Sequence, residues 1–241
     1  MTASGTLGTV VIIGGSSAIG QAIAAHYAQA GHSVVVTSRS LERAHSVAQP
    51  LGATALAVDL TQSLDEIKHA LQSIDHDIQY LILVAVVRCS THIVDGYDVQ
   101  TASALLQVKT VGYQSVIHTL LPRMRRNASI CIFGGAAKDV PYPGSTAVTT
   151  ANGAVHSMVH TLAVQLGKAY KNIRVNGLHP GLVADSPHYA DKPGILKAFG
   201  EKTLLEDLIT IADVVHATVF LLENPGITGI NLPINAGFHM N

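Results

Sequence analysis

The sequence predicts an α/β fold in which a doubly wound parallel sheet of about seven strands is covered by helices on both faces. Three observations support this prediction. Short runs of apolar, largely β-branched residues recur along the chain, and segments long enough for helices separate them. Apolar residues make up 48% of the chain and charged residues only 13%. So few charges indicate that much of the surface is hidden in a fully covered sheet or between subunits.

The predicted strands are the continuous apolar runs of the sequence. They lie at 9–13, 33–37, 53–58, 80–84, 129–133, 173–178 and 229–234. Hydrophobicity that continues from one residue to the next, instead of alternating, is typical of strands buried on both faces, as in a parallel sheet.

The predicted helices lie between these runs. Apolar residues recur at steps of three and four residues within 19–29, 64–71, 101–124 and 155–170. Strands that alternate with crossovers of this length predict a doubly wound sheet. The sequence contains no linker, repeat or low-complexity segment, so we expect one domain over 1–241.

Charge, cysteine content and hydropathy exclude several classes of protein. The formal net charge is −1 with 13 histidines, so we expect no nucleic-acid or membrane partner. Cys89 and Cys131 form no motif and indicate a reducing compartment. The start, MTASGTLG, lacks a basic residue, and no uninterrupted apolar stretch reaches about 18 residues, so neither a signal peptide nor a membrane span is expected. We therefore expect a cytoplasmic protein.

A glycine-rich turn, GGSSAIG, follows the first predicted strand. A helix N-terminus that is approached through glycines binds anions, and a pyrophosphate suits it. The alternative is a tight turn whose glycines serve only helix–sheet packing. The candidate cofactor-binding residues of the turn are Gly14, Ser16, Ser17, Ile19 and Gly20.

Two charged residues follow the next two strands. Arg39 stands where a dehydrogenase selective for NAD places a carboxylate on the ribose hydroxyls, so Arg39 favours the 2′-phosphate of NADP(H). Asp59 follows strand three, where it could accept a hydrogen bond from an adenine amino group. Together with the glycine turn, these residues predict Rossmann-like dinucleotide-binding geometry. They leave open whether NADP(H) is bound or no cofactor at all.

Over nearly its whole length the chain resembles the short-chain dehydrogenase/reductase family. The segments NIRVNGLHPGLV at 172–183 and ITGINLPINAGF at 227–238 are similar to that family's sixth strand with its Pro-Gly turn and to its closing segment. The family's cofactor turn, Thr-Gly-x-x-x-Gly-Ile-Gly, has its counterparts here in Ile13, Gly14, Ala18, Ile19 and Gly20.

The resemblance implies an Asn-Ser-Tyr-Lys set, in which the tyrosine exchanges a proton and the lysine lowers the tyrosine pKa. By spacing, Gly135 takes the serine position, Val148 the tyrosine position, Asn152 the lysine position and Lys109 the asparagine position. The Asn-Asn-Ala-Gly turn after strand four reads VAVV at 84–87. Loss of the acid–base partner slows hydride transfer by at least about 10²–10⁴-fold. We therefore expect classical NAD(P)-dependent dehydrogenase activity to be lost.

Four residues are candidates for catalysis. Lysine and asparagine are exchanged between positions 109 and 152, so Lys109 could return an ammonium to the pocket as a base, imine former or oxyanion stabiliser. Alternatively, Lys109 reaches solvent or pairs with a carboxylate. Tyr142 could point inward or pack within its loop, and His179, before the Pro-Gly turn, is either a site residue or structural. The candidates are Lys109, Tyr142, His179 and Asn152.

We expect no metal site. His156 and His160 have the spacing of metal ligands on a helix, but no carboxylate motif accompanies them.

These substitutions favour a non-redox biosynthetic enzyme of cyclase, isomerase or lyase type, which positions and polarises a small, largely apolar carbonyl compound. One alternative is an inactive member that binds nucleotide or supports an active homologous subunit. Another is an NADP(H)-dependent oxidoreductase with unconventional residues such as Tyr142. We expect a small-molecule substrate and a homodimer or homotetramer formed through 101–124 and 149–170, or a hetero-oligomer with an active homologue.

Overall fold

The computed structural model describes residues 7–75 and 77–240, which build one sheet of seven strands. Its strands are β1 (Thr9–Ile13), β2 (Val34–Ser38), β3 (Thr54–Ala57), β4 (Ile78–Leu83), β5 (Met124–Phe133), β6 (Arg174–Pro180) and β7 (Asn231–Ile234). They pair in the order β3-β2-β1-β4-β5-β6-β7, and each pairing is parallel. The predicted parallel sheet is confirmed.

Helices cover both faces of this sheet. They are α1 (Ala18–Gln29), α2 (Leu41–Ala48), α3 (Leu64–Ala70), α4 (Val99–Gln107), α5 (Tyr113–Leu120), α6 (Thr146–Leu166), α7 (Pro193–Gly200) and α8 (Ile211–Glu223). Buried residues of α3, α5 and α6 pack in one hydrophobic cluster, and those of α1, α2 and α8 pack in a second. The predicted two-sided covering is therefore confirmed.

The packing of strand β1 explains why apolar residues follow one another in its sequence without alternating with polar ones. Val11 and Ile13 belong to the first cluster, whereas Val10 and Ile12 belong to the second. All four side chains are at most 1% exposed. Successive side chains of a strand point to opposite faces, so a strand covered on both faces needs an apolar residue at every position.

The predicted helix at 101–124 is helical as far as Leu120, with a π-helical turn inside it, and the prediction is wrong only for the last residues. The chain forms α4, then a π-helical turn at Val108–Gly112, then α5, and a 3-10 turn at Leu121–Arg123 follows. Pro122 has no N–H to continue the helix. Strand β5 then starts at Met124, which pairs with Ile78 before the register shifts. This polar, irregular start conceals the strand in the sequence.

All the described strands join one sheet. One domain over 1–241 stays a prediction. The ends of the predicted range, 1–6 and 241, lie outside the described residues, as does most of the MTASGTLG start. Among the helices of the described residues, none has both the length and the apolar character that crossing a membrane requires.

Candidate active site

The candidate site lies at the carboxyl ends of five adjacent strands, β3, β2, β1, β4 and β5. Strand β1 pairs with β2 on one side and with β4 on the other, so the strand order reverses between β1 and β4. In doubly wound sheets, ligands bind at the carboxyl edge beside such a reversal. The residues that follow these strands therefore define the region to examine.

The glycine turn after β1 packs tightly and leaves a helix N-terminus open. Gly14 has φ +86°, and a Cβ added there would lie 2.5 Å from Ala85 Cα, so only glycine fits. The Ser17 hydroxyl donates to the Gly14 carbonyl at 3.0 Å and accepts from the Gly20 N–H at 3.1 Å. The first-turn N–H groups of Ala18 and Ile19 have no acceptor within the helix. These groups and the helix dipole can hold an anion.

Polar residues at the ends of β2 and β3 surround this turn. The Ser16 hydroxyl donates to that of Ser38 at 2.9 Å, and Arg39 is exposed beside it. Asp59 Oδ1 accepts from the N–H and hydroxyl of Thr61, at 2.9 and 2.7 Å. Partial burial acts to raise the Asp59 pKa, but the Thr61 hydrogen bonds and the Arg39 charge lower it below its ordinary value. Asp59 Oδ1 thus stabilises the turn that contains Asp59 and Thr61. Open N–H groups with an exposed guanidinium nearby fit a dinucleotide phosphate.

Lys109 is buried in the π-helical turn, with 4% of its surface exposed. Its Nζ donates to the carbonyls of Phe133 at 2.6 Å and Gly134 at 3.3 Å, at the end of β5. Burial lowers the Lys109 pKa from 10.5 to about 8. Single π turns inside helices are frequent at functional sites. Of the two alternatives for Lys109, a side chain that reaches solvent does not agree with this position.

Asn152 and Gly135 lie against each other beside the end of β5. Asn152 is buried on α6, and a Cβ added at Gly135 would lie 2.8 Å from its Nδ2. Glycine at 135 therefore leaves the space that the amide occupies. Val148, one turn earlier on α6, packs with Val87 and Cys89 in a third apolar cluster.

His179 is fixed between two partners. Its Nδ1 accepts from the Gly135 N–H at 3.2 Å, so Nε2 carries the proton that is donated to Asn231 Oδ1 at 2.8 Å. Burial lowers its pKa to about 4, assisted by nearby positive charges including Lys138 and opposed by the Asn231 hydrogen bond. Both ring nitrogens are occupied in this neutral form. The geometry supports the structural alternative for His179 and not a catalytic role.

Tyr142 is 46% exposed and stands in the wall of a separate cavity of about 330 Å³. Partial burial raises its pKa, so the phenol is a weaker acid than usual. The residues that line the cavity are Val140, Pro141, Tyr142, Phe199, Lys202 and Phe238.

Of the four catalytic candidates, the structure thus brings Lys109 and Asn152 to the end of β5, and His179 lies beside them with both ring nitrogens hydrogen-bonded.

Asn231 and Tyr113 hold parts of the site in place through hydrogen bonds, and neither residue was predicted from the sequence. Asn231 Nδ2 donates to the His156 carbonyl and to His160 Nε2, each at 3.1 Å, which orients its oxygen toward His179. The Tyr113 hydroxyl donates to the Ala85 carbonyl at 2.5 Å and ties α5 to the segment after β4. No local motif marks either residue, because each acts through partners far away in sequence.

The two histidines of α6 have no metal-binding set around them. His156 and His160 have ring centroids 4.8 Å apart. Within residues 7–75 and 77–240, no group of three or more histidine, cysteine or acidic side chains is placed to hold a metal ion. In the same ranges Cys89 and Cys131 are free thiols.

Comparison with known proteins points to reductases. Carbonyl reductase family member 4 of Danio rerio is 27% identical, over 95% of this chain and 97% of the relative. The 3-oxoacyl-[acyl-carrier-protein] reductase of Homo sapiens is 29% identical over the same shares, 95% and 97%. An uncharacterized oxidoreductase of Staphylococcus epidermidis is 29% identical, over 92% of this chain and 93% of the relative.

These comparisons overturn two of the predictions made from the sequence. The named relatives are reductases and oxidoreductases, so the prediction of a non-redox cyclase, isomerase or lyase is wrong. The prediction that NAD(P)-dependent dehydrogenase activity is lost is overturned with it. The physical reason is that the cofactor carries the hydride chemistry. The retained glycine turn is therefore more informative than the side chains that assist proton transfer.

Solved structures show the same fold. The chain superimposes on the Pseudomonas aeruginosa RhlG/NADP active-site complex with a TM-score of 0.85 at 24% identity, over 96% of both chains. A short chain dehydrogenase/reductase family protein gives a TM-score of 0.84 at 23% identity, over 97% of both chains. The family profile described as enoyl-(acyl carrier protein) reductase matches residues 14–239. With almost the whole described fold inside that match, the chain belongs to the short-chain dehydrogenase/reductase family.

Proposed function

We propose that this protein is an NADP(H)-dependent oxidoreductase that reduces a carbonyl compound, with the Lys109 ammonium as its proton donor. The observation that carries the proposal is the buried Nζ of Lys109, 2.6 Å from the Phe133 carbonyl at the end of β5. The relatives support this class of reaction, because they are named carbonyl reductase and 3-oxoacyl-[acyl-carrier-protein] reductase.

The cofactor half of the site would be held by the turn after β1 and by Arg39. The N–H groups of Ala18 and Ile19 would bind the pyrophosphate, and the exposed Arg39 guanidinium would bind the 2′-phosphate. When bound, NADPH supplies a hydride to the carbonyl carbon.

We further propose that the family's Asn-Ser-Tyr-Lys set is replaced here, and that Lys109 supplies both the proton of the family's tyrosine and the positive charge of its lysine. Gly135, Val148 and Asn152 occupy the serine, tyrosine and lysine positions. None of these three side chains donates a proton at neutral pH. Lys109, in the asparagine position, carries the ionisable proton that the other three lack. Its burial next to Gly134 supports this assignment.

Lys109 is suited to hold and release a proton. An ammonium has three N–H donors, and two of them are used by the Phe133 and Gly134 carbonyls. The third would bind a substrate carbonyl oxygen and stabilise the negative charge that develops on it. With a pKa of about 8, Lys109 is mostly protonated at neutral pH and close to the best strength for a general acid.

Other expectations stay predictions. They are a small-molecule substrate, a cytoplasmic location, and a homodimer, homotetramer or hetero-oligomer with an active homologue.

The test is carbonyl-dependent loss of NADPH absorbance with the wild type, Lys109→Met and a matched control. We expect Lys109→Met to lower kcat by at least about 10²-fold, because the proton donor is removed. The control is Lys68→Met, which alters an exposed lysine on α3 and should leave kcat unchanged. In the wild type, kcat should fall as the pH rises through about 8.

An unchanged kcat in Lys109→Met, with the fold intact by circular dichroism, would remove Lys109 from the reaction. A kcat that does not decline above that pH would also contradict the role of its proton.

A further inference from the structure

The cavity beside Tyr142 is walled by rings from three separate segments. Tyr142 lies in the loop before α6, Phe199 lies at the end of α7, and Phe238 lies in the last turn of the described chain. The Phe199 and Phe238 ring centroids are 5.5 Å apart, with the planes inclined by 35°. The Lys202 ammonium lies 5.8 Å from the Phe199 centroid, in cation–π range.

Hydrogen bonds hold two of these walls in place. The Tyr142 N–H donates to the Ser145 hydroxyl, and the Ser145 N–H donates to the Tyr142 carbonyl, both at 2.9 Å. The segment after α7 is joined to the C-terminal turn by the Leu204 N–H, which donates to the Ala236 carbonyl at 3.0 Å. Walls that are already ordered lose little conformational entropy when a ligand binds.

The size and the lining of the cavity specify the ligand. At about 330 Å³ the cavity lies in the range of small-molecule sites. An apolar cavity of about 150 Å³ is enough for benzene, so one substituted ring fits here. Three aromatic walls favour a flat ring over an alkyl group of equal size, because ring–ring contacts add attraction beyond buried area.

We infer that this cavity binds an aromatic ring, and that the substrates of the protein include aryl ketones or aryl aldehydes. The second half of this inference rests on the proposed carbonyl reduction. The first half does not, because binding in the cavity needs neither cofactor nor turnover.

The test is a titration of acetophenone followed by ligand-observed NMR in the absence of NADPH. Wild type should bind it saturably and about 2–10-fold more tightly than cyclohexyl methyl ketone, which has a saturated ring of similar size. Phe199→Leu and Phe238→Leu should each abolish most of this preference. Phe220→Leu changes an exposed phenylalanine on α8 in the same way and should have no effect.

Each outcome decides the assignment. The assignment would be overturned if the wild type did not bind acetophenone saturably. It would also be overturned if Phe199→Leu and Phe238→Leu bound acetophenone as tightly as the control Phe220→Leu, provided that all three variants unfold at the wild-type temperature. Lys109→Met should keep the preference for acetophenone over cyclohexyl methyl ketone, because both ligands carry the carbonyl that Lys109 would bind and differ only in the ring, and Lys109 does not line this cavity. If acetophenone binds saturably but is not reduced by NADPH, aryl ketones and aryl aldehydes are excluded as substrates, and the assignment of the cavity as a ring-binding site is retained.

Discussion

At the scale of single residues, Lys109 is the most unusual side chain of the molecule. It is a cation 4% exposed, and its contacts are two main-chain carbonyls and the face of Tyr113, whose ring centroid is 6.0 Å from Nζ. Carbonyl acceptors compensate a buried ammonium less well than a carboxylate does. Lys109 should therefore destabilise the fold, a cost that fits the proton-donor role proposed for it.

This cost predicts a pH-dependent stability difference between the wild type and Lys109→Met. Burial lowers the Lys109 pKa from 10.5 to about 8, so between these values the unfolded chain binds more protons than the native one. Wild-type stability should then rise with pH relative to the variant, by up to about 1 kcal/mol per pH unit and about 3 kcal/mol in total. Urea unfolding of both proteins across this range measures it, and a constant difference would contradict the buried charge.

His179 illustrates the opposite case, a buried polar residue with all its hydrogen bonds made. We expect His179→Ala to lower the free energy of unfolding by about 2–4 kcal/mol, because it leaves the Gly135 N–H and the Asn231 oxygen unpaired. The native pKa of about 4 lies below 6.5, so the stabilisation is complete above pH 6.5 and is lost as the pH falls toward 4. Acid titrations of the free energy of unfolding should show a shallower decline in the variant. His216→Ala, on the exposed surface of α8, is the control.

At the scale of elements, the turn between β1 and α1 explains why glycine is required at one position. Gly14 combines a positive φ with a close approach to Ala85, two residues after the end of β4. We expect Gly14→Ala to destabilise the protein by at least about 2 kcal/mol. Gly153→Ala, inside α6 with free space around it, should stabilise by about 0.5–1 kcal/mol. Thermal unfolding compares the two, and equal effects would contradict the tight turn.

Arg39, at the end of β2, is proposed to favour NADPH over NADH. Removal of the exposed guanidinium in Arg39→Ala should raise the Kd of NADPH by about 10-fold and leave that of NADH nearly unchanged. Arg43→Ala, on the exposed side of α2, is the matched control. Calorimetric titration gives both constants. A parallel loss for NADH would show that Arg39 does not contact the 2′-phosphate.

Elements differ in how well the sequence predicts them. Strands such as β1 and β2 were located to within a residue, because both faces are covered and each position is apolar. The start of β5 was missed, because polar residues there bulge away from β4 and Asn127 has φ +62°. Helix α8 was also missed, although Thr210 and Asp213 form a capping box that its sequence displays.

At the scale of the whole molecule, the doubly wound parallel sheet was predictable from the alternation of strands and helices, whereas the cavity was not. The walls at Tyr142, Phe199 and Phe238 come from distant parts of the chain, and no spacing rule joins them. Gly135 follows β5, and Val148 and Asn152 lie on α6, as their spacing in the sequence predicts. The loss of redox activity was wrongly predicted from these residues, because proton transfer assists hydride transfer without defining it.

The most direct test of the central claim uses NADPH that carries two deuterium atoms on its hydride-donating carbon, and it follows deuterium into the products of a panel of carbonyl compounds. The panel contains acetophenone, a linear aliphatic ketone and a β-keto thioester, and the products are analysed by mass spectrometry. We predict an alcohol carrying one deuterium for at least one member with the wild type, and a rate at least about 10²-fold lower with Lys109→Met. No deuterium in any product, while NADPH binds saturably, would contradict the assignment of this protein as a reductase.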